Sequence, residues 1–402
     1  MTNINPPQHV EYILRHLTEN GHPAFLVGGC VRDALMGRHV HDWDVATSAA
    51  PVDVAVLFAR TILTGEKFGT VTVVTEGDAV EVTTFRVEGE YRDSRRPESV
   101  IFVANLDEDL SRRDFTMNAM AISVAKRLVD PFGGIRDIKN RVIRCVGAPK
   151  ARFAEDALRM FRAFRFRAQL GFTIEKKTLD AINANAQGAK LISAERVRVE
   201  LEKTLMSQRP EIAGEMIKAG LLARYAEAPG YAPKGLERIE QLPVEPIIRW
   251  CAFCAVLQEQ GFIASAMEFL HSMRLDGKTA KTCVRALSIA SIPEDRKGIK
   301  RLFIEHGIEA TRCAAAAHDI MSKQSEAEEP SPCFTRINEV IASGECFSLN
   351  RLAISGSDLI GMGYQPGQEL GDMLNKLLNH VIDHPEDNVP RVLIDIAKKL
   401  AR

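Results

Sequence analysis

The chain has 402 residues, more than one hydrophobic core usually serves, so several domains are expected. Its 46% hydrophobic and 26% charged residues exclude a chain that is disordered or fibrous throughout. With 52 Lys and Arg against 53 Asp and Glu, the formal net charge is −1; this excludes a global basic field for nucleic acid and leaves RNA binding to a local patch.

From about Phe25 to Val146 short β-rich runs (Phe25 to Val27, Val71 to Val74, Val80 to Phe85, Val100 to Val103) alternate with helical stretches and turns, which predicts a small mixed α/β head. Its first informative run is Leu26-Val27-Gly28-Gly29-Cys30-Val31-Arg32-Asp33, followed by Gly37-Arg38 and Asp42-Trp43-Asp44. A Gly pair after an apolar strand lets backbone N–H groups approach a phosphate, and a helix starting there adds its positive dipole; a plain strand-to-helix turn is the alternative. Alternate residues of a strand face the same way, roughly 6.6 Å apart, so Asp42 and Asp44 can share one site. Two carboxylates there suit Mg2+, which takes oxygen ligands and fills its shell with substrate phosphates. Two such ions serve the attacking and leaving oxygens of phosphoryl transfer. Alone the Asp pair reads as a solvated strand face; the Gly-Gly unit ahead of it favours the metal site. Further on, Arg112-Arg113-Asp114-Phe115-Thr116-Met117-Asn118-Ala119 offers paired Arg for phosphate and Asp with Asn for ribose hydroxyls, or else a capped helix start.

Beyond about Lys150 helical periodicity dominates. In the segment Ala154 to Arg167, Ala157, Phe161, Phe164 and Ala168 recur at helical spacing and predict a buried stripe. Asp156, Arg159 and Arg162 fall on another face, where Asp156 and Arg159 are neighbours. Four Arg at 159, 162, 165 and 167 exceed the needs of a salt-bridged solvated face. A carboxylate beside a guanidinium can copy a Watson–Crick edge: one accepts from an exocyclic amine, the other donates to a ring nitrogen or carbonyl oxygen. Cytosine and adenine carry that amine, so the pair predicts selection of CTP and ATP.

Cys251 and Cys254 have redox or half-zinc spacing, yet lie in the apolar helical run Ile247 to Leu257 with no second Cys/His pair, which predicts buried helix residues. Breaks are expected at Ala228 to Pro233 and Ser325 to Pro332. His318-Asp319 lacks spaced His and Asp partners and is expected to be a helix-end pair, with no phosphatase activity. No secretory signal or membrane-spanning run is evident, so a reduced cytoplasmic location and no membrane partner are expected.

The run from Gly28 to Asp44 resembles the signature of the DNA polymerase β-type nucleotidyltransferase superfamily. Its extended form is similar to the class II branch of bacterial CCA-adding enzymes and poly(A) polymerases. Arg112 to Ala119 resembles that branch's sugar-recognition motif, and Ala154 to Arg167 the motif in which an Asp and an Arg read the base. The resemblance implies an α+β fold, with a mixed-sheet head (1–146) followed by an all-α neck (147–228), body (229–325) and tail (326–402). It implies catalytic, metal-holding Asp42 and Asp44, base-reading Asp156 and Arg159, and nucleotide-binding Gly29, Arg32, Arg113, Arg162 and Arg165. Arg162 and Arg165, with the helical body, are also expected to contact phosphates of the acceptor stem. Glu195 to Leu201 resembles the motif that braces the base-reading helix. Arg86 to Pro97 resembles the loop that full CCA-adding members retain, and Leu352 to Leu359 the tail of tRNA-binding members, with Ser355 where many relatives have Asn.

The chain stops at Arg402 without the basic extension typical of the poly(A) polymerases. The implied activity is Mg2+-dependent addition of CCA to the 3′ end of tRNA from CTP and ATP. A poly(A) polymerase or a partial CC- or A-adding enzyme is the alternative, and a homodimer is left open.

Overall fold

The computed structural model describes residues 4–75, 78–88, 100–227, 230–322 and 332–400. The chain is α+β and folds as two compact units: Met1–Thr204 with Glu215–Arg224 and Ala228–Tyr231, and Leu205–Gly214 with Tyr225–Glu227 and Ala232–Arg402.

The first unit opens with α1 (Gln8–Glu19), whose Val10, Ile13, Leu14 and Leu17 form one buried stripe at helical spacing. Then come β1 (Ala24–Val27), α2 (Gly29–Leu35), β2 (Asp44–Thr47), α3 (Pro51–Leu57), β3 (Thr61–Gly65), β4 (Thr70–Thr75) and β5 (Asp78–Thr84). They are followed by β6 (Arg86–Glu88), β7 (Val100–Phe102), α4 (Leu106–Ser111), β8 (Ala121–Ser123) and β9 (Leu128–Val129). Seven strands form one sheet in the order β3-β4-β5-β2-β1-β8-β9. It is mixed, because β2 pairs parallel to β5 whereas β1 pairs antiparallel to both β2 and β8. Strand alternation divides its two faces: Leu26 and Val45 pack with α1, Val27 and Ala46 with Phe85 and Leu110. The sheet thus holds the end of β1 beside the start of β2, where the site forms.

The runs predicted at 25–27, 71–74 and 80–85 lie in β1, β4 and β5, with Phe85 just past the end of β5. The run at 100–103 forms β7 over Val100–Phe102, but it pairs with β6 in a separate two-stranded ribbon. Of the expected loop, Arg86–Glu88 form β6, and residues 89–97 lie outside the described residues.

The unit continues with α5 (Gly134–Lys139), β10 (Val142–Ile143), α6 (Pro149–Glu155), α7 (Leu158–Leu170), β11 (Thr173–Ile174), α8 (Lys176–Asn185) and α9 (Ala194–Leu205). The segment expected as one helix is two. Asp156 has extended backbone (φ −138°, ψ 103°), its Oδ1 accepts the Leu158 N–H at 3.0 Å, and α7 starts only there. A side chain that bonds the backbone two residues on competes with helix at that point. The predicted stripe holds: Ala157, Phe161, Phe164 and Ala168 are all buried. Gly171, in the left-handed region at φ 66°, ends α7.

The second unit is helical: α10 (Ile212–Lys218) leads into it, and α11 (Pro246–Glu259), α12 (Ala266–Ser272), α13 (Gly277–Leu287), α14 (Arg296–His306) and α15 (Ile308–Met321) follow. Its last members are α16 (Pro332–Ala342), α17 (Gly356–Gly361), α18 (Gln368–Asp383) and α19 (Pro390–Leu400). Trp250, Phe253 and Phe269 pack together in its core. Cys251 and Cys254 are buried free thiols on α11, as expected. His318 contacts the Ile289 carbonyl at 2.9 Å, while Asp319 accepts the N–H groups of Cys333 and Phe334, so this pair does join helix ends. Ser355 forms a capping box with Asp358 at the start of α17. Of the two expected breaks, residues 228–229 and 325–331 lie outside the described residues.

Candidate active site

The turn from β1 to α2 gives the site its floor. Gly28 sits in the left-handed region at φ 78°, and a Cβ there would lie 3.0 Å from Arg113 Nη1 and 3.8 Å from Asp44 Oδ2. The backbone conformation favours glycine, and any larger residue would also press on the Arg113 guanidinium. Around this floor a cavity of about 460 Å³ is lined by Gly28, Gly29, Arg32, Asp44, Arg112, Arg113, Asp114, Asn118, Asp156, Leu158, Arg159, Arg162, Arg165, Phe166 and Arg196. Its volume falls in the usual range of small-molecule pockets. Eight of the nine residues singled out in the sequence line it, and Asp42 does not. Seven guanidiniums against three carboxylates give the lining the positive excess that suits a polyphosphate.

Asp42 precedes β2, so it does not form the expected strand pair with Asp44. Instead it is exposed and lines a neighbouring cleft of about 770 Å³, together with Asp44 and Glu81. Asp44 belongs to both cavities. Glu81 stands directly across the parallel β2–β5 register from Asp44. Sequence reasoning missed it, because a Glu alternating with Val80 and Val82 marks only an outward face until the register is known.

Burial, then the Glu81 charge, push the Asp44 carboxyl up to about 6; Arg113 partly offsets this and Asp42 adds to it. Among the described residues no three His, Cys, Asp or Glu groups close into a full metal-binding cluster. A half-buried carboxylate with two further acids on the same cleft nevertheless fits a hard divalent cation that takes its other ligands from phosphate and water.

Acids hold the arginines, and Asp109, Asp114 and Glu200 among them are buried. Arg32 donates to Asp33 and to Asn118 Oδ1 (2.7 Å). Arg113 donates to Asp109 at 3.1 Å, and Arg162 to Asp114 at 2.6 Å. Asp114 also accepts from Asn118; burial alone would raise its carboxyl, but Arg162 outweighs that and holds it at about 2. Arg165 is buried and donates to Glu200 at 2.5 Å. Arg32, Arg162 and Arg165 all lie over the Phe166 ring, at 5.0, 5.4 and 4.0 Å from its centroid. Arg162 and Arg165 both line the cavity, where their acidic partners and Phe166 hold them.

Asp156 and Arg159 both line the cavity. Asp156 Oδ2 accepts from Arg196 at 2.8 Å. Arg159 donates to Glu155 at 2.8 Å and to the Arg112 carbonyl at 2.9 Å. The stretch Glu195 to Leu201 lies on α9, which grips the segment Asp156 to Arg165 twice, through Arg196 to Asp156 and Glu200 to Arg165.

Comparison with known proteins gives the family. Residues 24–144 match the Poly A polymerase head domain, and residues 247–397 match tRNA nucleotidyltransferase domain 2. A CCA-adding enzyme from Geobacillus sp. is 39% identical over 370 residues, covering 90% of this chain and 89% of its own. One from Bacillus velezensis is 44% identical over 283 residues, covering 69% of this chain and 70% of its own. Among solved structures, the Bacillus stearothermophilus CCA-adding enzyme in complex with CTP aligns at a TM-score of 0.76 and 33% identity, over 95% of this chain and 94% of its own. The chain thus belongs to the bacterial class II CCA-adding enzymes, the tRNA nucleotidyltransferases that share this head and helical remainder.

Proposed function

We propose that the cavity between Gly28 and Arg196 binds the incoming nucleotide, and that Asp42, Asp44 and Glu81 hold Mg2+ beside it. The enzyme is a CCA tRNA nucleotidyltransferase that adds CCA to the 3′ end of tRNA from CTP and ATP. In each step the terminal 3′ oxygen of the RNA bonds to the α-phosphate, the bond to the β-phosphate oxygen breaks, and pyrophosphate leaves. Bound Mg2+ supplies positive charge at the attacking and leaving oxygens.

Gly28 and Gly29 let the chain approach the triphosphate closely, and Arg32, Arg113, Arg162 and Arg165 neutralise it. Asp114 and Asn118 face the ribose. Asp156 accepts from the exocyclic amine of cytosine or adenine while Arg159 donates to the ring edge. The observation that carries the assignment is the convergence in one cavity of Asp44 with Asp156 and Arg159, groups 112 to 115 residues apart in the sequence.

Within the two units we assign residues 1–146 to the head, 147–228 to the neck, 229–325 to the body and 326–402 to a tRNA-binding tail. The segment from Arg86 to Pro97 is assigned to the switch from C to A. No helix among the described residues is long and apolar enough to cross a membrane. The eight free cysteines suit a reducing compartment, and we place the enzyme in the cytoplasm.

Equilibrium binding of each nucleoside triphosphate with Mg2+ tests the site. CTP and ATP are expected to bind and UTP and GTP to bind at least about tenfold more weakly, the lower end of what one base contact contributes. Equal binding of all four would refute base reading by this cavity.

A further inference from the structure

Asp109, on α4, is fully buried and is used by none of the chemistry above. Its carboxylate nevertheless ties the residues just after α4 to the start of β6. Oδ1 accepts the backbone N–H of Arg86 at 3.3 Å and Arg112 Nε and Nη2 at 3.0 and 2.7 Å. Oδ2 accepts Arg113 Nη2 at 3.1 Å. Each of these partners leads elsewhere. The Arg112 carbonyl accepts Nη2 of Arg159 at 2.9 Å. Arg113 lies against Gly28, whose other near neighbour is the Asp44 carboxylate. Arg86 begins β6, the strand that leads into residues 89–99.

One buried carboxylate is shared by two guanidiniums and a backbone N–H, so displacing any of these partners disturbs its bonds to the others. We infer that Asp109 is a positioning residue for the transfer reaction, setting Arg159 for the base and Arg113 for the phosphate end of the site and keeping both in register with β6. This inference rests on the assignment of Arg159 as a base reader. Asp109 touches no substrate. Its effect on selectivity passes through Arg112 to Arg159, and its effect on nucleotide affinity through Arg113.

The test compares Asp109→Asn, Asp109→Glu, Arg159→Ala and, as a structural control, Leu17→Ala, a buried core residue on α1 away from the cavity. Single-nucleotide extension of tRNA lacking its last three residues gives kcat and KM for CTP and UTP, and melting curves fix a temperature at which every variant is folded. Asn keeps the size and one acceptor but removes the charge; Glu keeps the charge and displaces it by one methylene. Both are expected to lower CTP-over-UTP selectivity about tenfold, within the range for one base-reading contact, and to raise KM for CTP more than they lower kcat. Leu17→Ala is expected to lower Tm and leave selectivity as in the wild type. Wild-type selectivity and KM in both folded Asp109 variants would overturn the inference, as would an equal selectivity loss in Leu17→Ala. Should Arg159→Ala leave selectivity intact, the base-reading assignment itself would fall; loss in Arg159→Ala but not in the Asp109 variants would reject only the role of Asp109.

Discussion

Asp44 concentrates the chemistry at the scale of single residues, because it belongs to both the nucleotide cavity and the cleft that holds Asp42 and Glu81. Asp44→Asn keeps the shape and removes the charge, and is expected to lower kcat by at least about 10²-fold, the scale for losing one preorganised electrostatic group. Its carboxyl is raised from 3.8 to about 6, so below pH 6 a proton competes with the metal. Apparent Mg2+ affinity, measured by titration calorimetry, is expected to fall by about tenfold per pH unit below 6 and to level off above it. In the metal-free protein the linkage has the opposite sense. The raised pKa makes this group's contribution to stability largest below pH 4 and progressively lost as pH rises through 6, so added Mg2+ should stabilise most above pH 6. At the base end, Arg159→Ala and Asp156→Ala are expected to admit UTP and GTP, with selectivity falling about 10- to 100-fold in extension assays. Wild-type selectivity in both would remove them from base reading.

Helix α9 holds α7 through Glu200 and Arg165, and the junction between α6 and α7 through Arg196 and Asp156. Glu200→Ala leaves the buried Arg165 guanidinium without its acid, and is expected to cost about 3–5 kcal/mol in denaturant unfolding. Replacing Arg165 by Leu as well should recover part of that loss, since an uncompensated charge costs more than an apolar substitute. A brace of this kind was legible in sequence only as a motif. The stripe Ala157, Phe161, Phe164 and Ala168 was read correctly, because burial at helical spacing needs no knowledge of partners. The break at Asp156 was not, because the apolar period runs through it and only the side-chain bond to Leu158 stops the helix there. Likewise Asp42 and Asp44 were legible as an acidic pair, but the start of β2 at Asp44 was not. Glu81 and Asp109 depend on strand register and on long-range bonds to Arg86, Arg112 and Arg113, which no local pattern carries.

For the molecule as a whole, a net charge of −1 coexists with a cavity lined by seven guanidiniums, so positive charge is concentrated in the proposed nucleotide site and balanced elsewhere. KM for CTP is expected to rise with KCl concentration while Tm changes little, because salt screens the phosphate contacts more than the buried pairs; a salt-independent KM would argue against charge-driven nucleotide capture. The decisive measurement incubates tRNA lacking its last three nucleotides with Mg2+ and each nucleoside triphosphate, singly and together, and resolves the products at single-nucleotide length. Two C residues with CTP alone, and a single further A once ATP is present, are the expected products. A long A ladder would make the enzyme a poly(A) polymerase, and no extension with any combination would contradict nucleotidyl transfer to tRNA altogether.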